Sequence, residues 1–300
     1  MPTPPFGRLL TAMVTPFAAD GSLDLDGAAR LAAYLVDDLG NDGLVISGTT
    51  GESPATTDAE KAELLRAVLD AVGDRAAVIA GVGTFSTAHT VELATRAAEI
   101  GAHGLLVVTP YYSKPPQSGL VAHFTQVAET TELPIMLYDI PHRAGVAIAT
   151  DTMLRLAEHP RIVAVKDAKS DLAASSRVIA QTDLAYYSGE DALTLPLLSV
   201  GGVGVVGTST HFAGVGTKAM IDAYVGGDPA TALTWHRRLL PIFTGIFATQ
   251  GVILVKAGLA LQGRGVGGLR LPQVPATAAE TAALALALSA AGLPAGEVDD

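Results

Sequence analysis

The 300-residue chain contains no cysteine. That absence removes disulfides, thiolate metal ligands and a cysteine nucleophile together, and it agrees with a reducing compartment. Positive charge is also in short supply: 19 lysines and arginines stand against 30 aspartates and glutamates, for a net charge of −11. Such a balance leaves no electrostatic footprint for a phosphate backbone or an anionic lipid surface, so neither nucleic acid nor membrane is expected as a partner. Long apolar runs are missing as well. The two most apolar stretches, 195–206 and 282–293, fall short of the ~20 residues that span a bilayer, and both are expected to be buried core. The opening Met1-Pro-Thr-Pro-Pro lacks the charged and apolar regions of a secretory signal, so the expected location is the cytoplasm. What the chain does have is apolar mass: 49% hydrophobic against 16% charged residues, enough to build a large core and to exclude a disordered chain.

Eight short apolar, β-branched runs recur at 9–15, 43–47, 77–81, 104–109, 135–140, 162–166, 184–188 and 202–208. They are nearly continuous in hydrophobicity, as strands covered on both faces are, and this points to a parallel sheet. Between them lie segments of helical periodicity such as 60–69, 91–100 and 119–130. Thr57-Asp-Ala-Glu60 has the spacing of a capping box, and 87–90 is expected to open the next helix. Eight β-α units predict a (β/α)8 TIM barrel of about 250 residues, with its active site on the loops that follow the strands. A doubly wound sheet is the second choice. Residues 1–225 are expected to form the barrel and 226–300 a C-terminal helical segment packed on it, ending in a low-complexity tail at 294–300.

Several motifs lose to plainer readings. Gly202-Val-Gly-Val-Val-Gly207 matches a dinucleotide fingerprint, but that motif must follow a strand, whereas here it is the strand. Gly48-Thr-Thr-Gly-Glu-Ser53 lacks the lysine of a phosphate loop. The seven histidines show no ligand spacing, so no metal is expected.

The chemistry-bearing signal is lysine inside apolar sequence, at Lys166 and Lys256. A buried ammonium loses its hydration, its pKa falls toward neutrality, and the free amine becomes a nucleophile for carbonyls. Lys166 shares a strand face with the small Ala164 and Ala168, which leaves room for the amine in a barrel lumen, although it could instead snorkel out or pair with a carboxylate. Lys256 falls after the eight runs are used up and is expected on a helix, in a structural role. Tyr138 lies two residues after Met136, so its hydroxyl can enter the lumen, as a proton donor or merely as a satisfied buried phenol. Thr49 and Thr50 precede Gly51, a turn whose backbone amides can converge on a carboxylate. Arg143 offers a planar fork to a second carboxylate, or simply sits in solvent.

Gly48-Thr-Thr-Gly-Glu-Ser53, Val108-Thr-Pro-Tyr-Tyr112, Leu137-Tyr-Asp-Ile-Pro-His-Arg-Ala-Gly145, Val165-Lys-Asp-Ala168 and Ser188-Gly-Glu-Asp191 together resemble the dihydrodipicolinate synthase and N-acetylneuraminate lyase family of pyruvate-dependent aldolases, over nearly the whole chain. The chain departs from the family pattern at Asp139, where many members carry asparagine, and in the run after Val205. The resemblance implies Lys166 as a Schiff-base lysine, Tyr138 as general acid/base, Thr49 as proton relay, and Tyr112 completing that relay from a neighbouring subunit. It implies further that Thr50 holds the pyruvate carboxylate, that the Val206 backbone lines the pyruvate site, and that Arg143 binds the carboxylate of aspartate semialdehyde. No cofactor is implied, and a homotetramer built as a dimer of dimers is. The alternatives are a related lyase acting on a sugar-acid derivative and a non-catalytic barrel that binds carboxylates.

Overall fold

The computed structural model describes residues 4–295, so the start of the opening segment, 1–3, and most of the expected tail, 296–300, lie outside the described residues. Strands β1 (Leu9–Ala12), β2 (Gly43–Ile46), β3 (Ala77–Gly81), β4 (Gly104–Val108), β5 (Ile135–Asp139), β6 (Ile162–Asp167), β7 (Ala185–Ser188) and β8 (Gly204–Gly207) pair in parallel in chain order. β8 returns to β1, with Leu9 opposite Val205, and closes the barrel. The period-2 alternation of strand side chains sorts the residues into two cores. Leu10, Val45, Ile79, Leu106, Met136 and Val206 fill the lumen. Their neighbours Leu9, Leu44, Val78, Leu105, Leu137 and Val205 face outward and pack under the helices. Both faces are dry, which is why the strands read as unbroken apolar runs.

Outside the strands run α1 (Leu25–Ala33), α2 (Asp58–Val72), α3 (Thr87–Ile100), α4 (Gln117–Thr130), the one-turn α5 (Pro141–Ala144), α6 (Thr150–Leu156), α7 (Leu172–Ile179), α8 (Thr194–Ser199) and α9 (Thr210–Val225). The box Thr57-Asp-Ala-Glu60 caps α2 in both directions. The expected start of α3 moves by one residue: the Ser86 side chain is the cap, and 87–90 already forms the first turn, because only the residue outside the helix has a side chain free to accept the orphaned amide. The sequence GxGxxG ends with the last residue of β8 rather than following a strand, so it makes no nucleotide cradle. Gly204 is nevertheless required, since a Cβ there would sit 2.0 Å from the Arg8 carbonyl oxygen.

After α9 come α10 (Pro229–Gly245), α11 (Gly251–Leu261) and α12 (Ala278–Ala290). The stretch 282–293 is not the uniform core that its hydropathy suggests. Leu284 and Leu288 are buried at i, i+4 spacing, while Leu286, on the opposite side of the helix, is 73% exposed. The stretch 195–206 divides between α8 and β8. Among the described residues no helix is long and apolar enough to cross a membrane.

The floor of the barrel is closed by Tyr187 of β7, fully buried, whose hydroxyl donates to the Gly7 carbonyl at 2.8 Å and accepts from the Phe6 amide at 3.4 Å. Tyr187→Phe keeps the packing but strands the buried Phe6 amide and the half-buried Gly7 carbonyl, and a denaturant titration should show a loss of about 1 to 2 kcal/mol of unfolding free energy.

Candidate active site

Parallel pairing brings the candidate residues together at the C-terminal ends of adjacent strands. Tyr138 of β5 is in register with Lys166 of β6, and the Lys166 ammonium lies 4.3 Å from the centroid of the Tyr138 ring. Ala164 and Ala168 belong to the same lumen cluster as Tyr138, so the small neighbours expected for Lys166 are there. Burial lowers the Lys166 pKa from 10.5 to about 8, with nearby Arg143 adding to the fall while Asp191 and Glu190 oppose it. The neutral amine is thus within reach near neutral pH. Burial moves Tyr138 the other way, well above the ordinary phenol value, against the opposing influence of Arg143 and the Thr49 hydroxyl. Its phenol stays protonated and can pass a proton without carrying a charge of its own.

The threonines sit on the turn after β2. Ser47 and Glu52 bracket it, both at positive φ of 57° and 54°, so the chain doubles back tightly enough for the Gly51 amide to donate to the Gly48 carbonyl at 3.1 Å. Thr15 anchors the apex by donating to the Gly51 carbonyl at 2.6 Å. Thr49 is exposed and Thr50 half-buried. Thr49, Tyr111, Tyr138 and Arg143 line one cavity of about 220 Å³ above the lumen.

Arg143 is held over that cavity by α5, before which the capping Ile140 carbonyl accepts from the Arg143 amide at 3.0 Å. The far end of the segment is tied back by Asp139, which accepts from the Ile148 amide at 3.1 Å and faces Lys169 at 3.6 Å. Burial raises Asp139 to about 6, with Lys169 acting against the rise.

Not every sequence candidate joins this cluster within one chain. Lys166, Thr50 and Val206 are not among the residues that line that cavity; Val206 is buried in the lumen wall on β8, opposite Leu10, in the same lumen cluster as Tyr138. Tyr112 is 92% exposed at φ 73°, while its neighbour Tyr111 turns inward, edge-on to Phe85 with ring centroids 5.6 Å apart. Lys256 lies on α11 and pairs with Glu52 at 2.7 Å, so it is committed away from the lumen. Sequence reasoning assigned no role to Asp191, fully buried beside Lys166. It accepts from the amides of Thr208 at 3.2 Å and Ser209 at 3.0 Å and from the Ser209 hydroxyl, and so ties β8 to the turn after β7. A pair of acidic residues, Glu190 and Asp191, on the turn two and three residues after a strand run was the signal available for it. Among the described residues no cluster of three or more histidine, cysteine, aspartate or glutamate side chains is arranged to hold a metal ion.

The depressed pKa of Lys166 makes a stability prediction. Its folded value lies below the unfolded one, so the fold carries a penalty that is full below about pH 8 and disappears as pH rises toward 10.5. Lys166→Met should therefore melt at a higher temperature than the parent near neutral pH, and the gap should close as pH rises through that window. A pH-independent gap would show that the amine is not desolvated in the fold.

The profile of the dihydrodipicolinate synthetase family matches residues 5–291. The chain is 70% identical over 288 residues to the 4-hydroxy-tetrahydrodipicolinate synthase of Acidothermus cellulolyticus, covering 96% of this chain and 93% of that protein. It is 62% identical to 4-hydroxy-tetrahydrodipicolinate synthase 2 of Streptomyces coelicolor, over 97% of each chain. Among solved structures, the synthase of Cyanidioschyzon merolae with lysine bound superposes with a TM-score of 0.94 at 43% identity, covering 97% of this chain and 99% of that one. A barrel with a buried lysine beside a tyrosine at its strand ends, matched by profile, sequence and structure over nearly its whole length, belongs to the dihydrodipicolinate synthetase family.

Proposed function

We propose that the protein condenses pyruvate with aspartate semialdehyde to 4-hydroxy-tetrahydrodipicolinate, a step of lysine and diaminopimelate biosynthesis, through an imine on Lys166. The observation that carries this reading is the Lys166 amine, buried, lowered to about 8 and stacked over Tyr138. Its Nζ adds to the keto carbon of pyruvate, and water leaves as the imine forms. Tyr138 supplies and removes the protons of these steps, relayed through Thr49. Loss of a methyl proton gives the enamine, whose carbon attacks the aldehyde. The substrate amine then adds to the imine carbon and expels Lys166 as the ring closes.

Thr50, on the turn beside Thr49, holds the pyruvate carboxylate, and the Val206 backbone closes that subsite. Arg143 pairs with the carboxylate of the semialdehyde through its fork. No cofactor enters this scheme. Among the described residues, the chain up to 225 acts as the barrel and the stretch from 226 to 295 as a helical segment laid on it. Tyr112 completes the relay from a second copy of the chain. Its exposure within one chain, beside Tyr111 that packs edge-on to the exposed Phe85, supports an assembly that covers this rim, and we read that assembly as a homotetramer made of two dimers. The absence of cysteine supports a cytoplasmic setting.

Borohydride reduction in the presence of pyruvate should leave a covalent adduct on the peptide carrying Lys166. An adduct on Lys256 would overturn the assignment, and no adduct at all would favour a carboxylate-binding barrel without catalysis. For the acceptor, Arg143→Ala removes a charge-assisted contact worth about 1.5 to 3 kcal/mol, which corresponds to roughly tenfold or more in kcat/KM for the semialdehyde. Trapping by pyruvate should survive that change. If the pyruvate KM rises instead while the semialdehyde KM stays put, Arg143 belongs to the other substrate.

A further inference from the structure

The second buried lysine takes no part in this scheme, yet its surroundings are as specific as those of Lys166. Lys256 of α11 and Glu52 are each nearly sealed from solvent, with side chains 4% and 2% exposed and their charged atoms 2.7 Å apart. Glu52 also accepts the Arg270 amide at 2.9 Å. Lys256 sits 4.3 Å from the centre of the Phe17 ring, and the Arg270 guanidinium lies 4.2 Å from the same ring. The Arg270 fork continues to Glu60 at 2.6 and 2.9 Å, and it donates to the carbonyls of Gly21 and Ala55. Phe17 in turn donates its amide to the Val266 carbonyl at 3.0 Å. At Gly267, φ is 76° and a Cβ would lie 1.6 Å from the Phe17 carbonyl oxygen, so the two segments touch backbone to backbone.

Everything in this cluster converges on the turn that carries Thr49 and Thr50. Glu52 is two residues after Thr50 and holds a left-handed conformation, φ 54° and ψ 34°, without being glycine. Such a conformation is unfavourable for a residue with a Cβ and persists only when surrounding contacts impose it. A buried ion pair is a weak source of stability, because desolvation offsets its attraction. It fixes position, however, because a sealed charge that loses its counter-charge is left uncompensated, and Lys256 is held at its other side by donating to the Gly268 carbonyl at 2.5 Å.

We propose that Lys256 and Glu52 are positioning residues: the C-terminal segment clamps the threonine turn through their ion pair and so sets Thr49 and Thr50 against the pyruvate subsite. This inference rests on the proposed imine reaction. Lys256 acts through Glu52 and never meets substrate.

The test separates geometry from stability. In Lys256→Met, Glu52 is left charged and unpaired, so the melting temperature falls. The double variant Glu52→Gln/Lys256→Met removes both charges and keeps an acceptor for the Arg270 amide, and should regain most of that loss. The clamp predicts that the double variant nevertheless stays roughly ten- to hundredfold down in kcat/KM for pyruvate, the cost of a small misplacement of the groups that hold the substrate. Its borohydride-trapped fraction at subsaturating pyruvate should fall in parallel. A double variant with parental melting temperature and parental kinetics would overturn the clamp and leave the pair purely structural. The two layers fail differently: absence of a Lys166 adduct in the parent sinks the imine reading, whereas a normal adduct in the double variant sinks only the clamp. Should the variants not fold, hydrogen exchange on the parent decides, because a clamped turn protects the amides of Gly51 and Arg270 like those of β2 and fast exchange at both contradicts it.

Discussion

A closed parallel barrel has no wet face, so any polar side chain pointing into its lumen must find a partner there or change its charge. Three groups obey this in different ways. Lys166 lets its affinity for a proton fall. Tyr138 holds its proton more tightly. Asp191, whose own pKa burial raises, takes up amides and a hydroxyl from the turn after β8. The same dryness that lowers the proton affinity of the amine keeps the phenol protonated, so the two opposed shifts arise from one constraint rather than from two separate arrangements. Strand register then does the rest, because Tyr138 and Lys166 are neighbours on adjacent strands and cannot drift apart without breaking the sheet.

Loops above the strands lack that enforcement and are held from outside. The α5 segment that bears Arg143 is tied back through Asp139 and Lys169. The threonine turn is pinned from below by Thr15 and from the side by the Lys256 and Arg270 cluster. The C-terminal helices therefore touch the site through charge and hydrogen bonds, although most of their area is ordinary apolar packing against α9 and one another.

Most of the barrel was legible because double-sided burial writes itself into composition: each strand run is apolar throughout, and the eight runs fall where β1 to β8 lie to within a few residues. Lys166 and Tyr138 were legible for the same reason, as polar residues that interrupt such runs. Pairings between distant segments were not. Nothing near Glu52 in the sequence announces Lys256 or Arg270, because those contacts depend on where a later helix lands. The opposite orientations of Tyr111 and Tyr112 were equally hidden, since two adjacent tyrosines look alike until the fold turns one inward and leaves the other, at positive φ, exposed. The amphipathic character of α12 was masked by alanine, which is apolar enough to raise the average yet small enough to sit in solvent.

The closure of the barrel and the grip on the threonine turn share a property in time. β1 is made first, yet its last neighbour in the sheet is β8, and the turn after β2 is fixed by a lysine and an arginine near the far end of the chain. Contacts of such sequence separation are the slow ones to form, because the intervening loop must be ordered before they repay it. During synthesis the early strands leave the ribosome without their final partner, and the turn that bears the threonines waits for residues 256 and 270. The contacts that hold this turn from the side are complete only once residue 270 has been made.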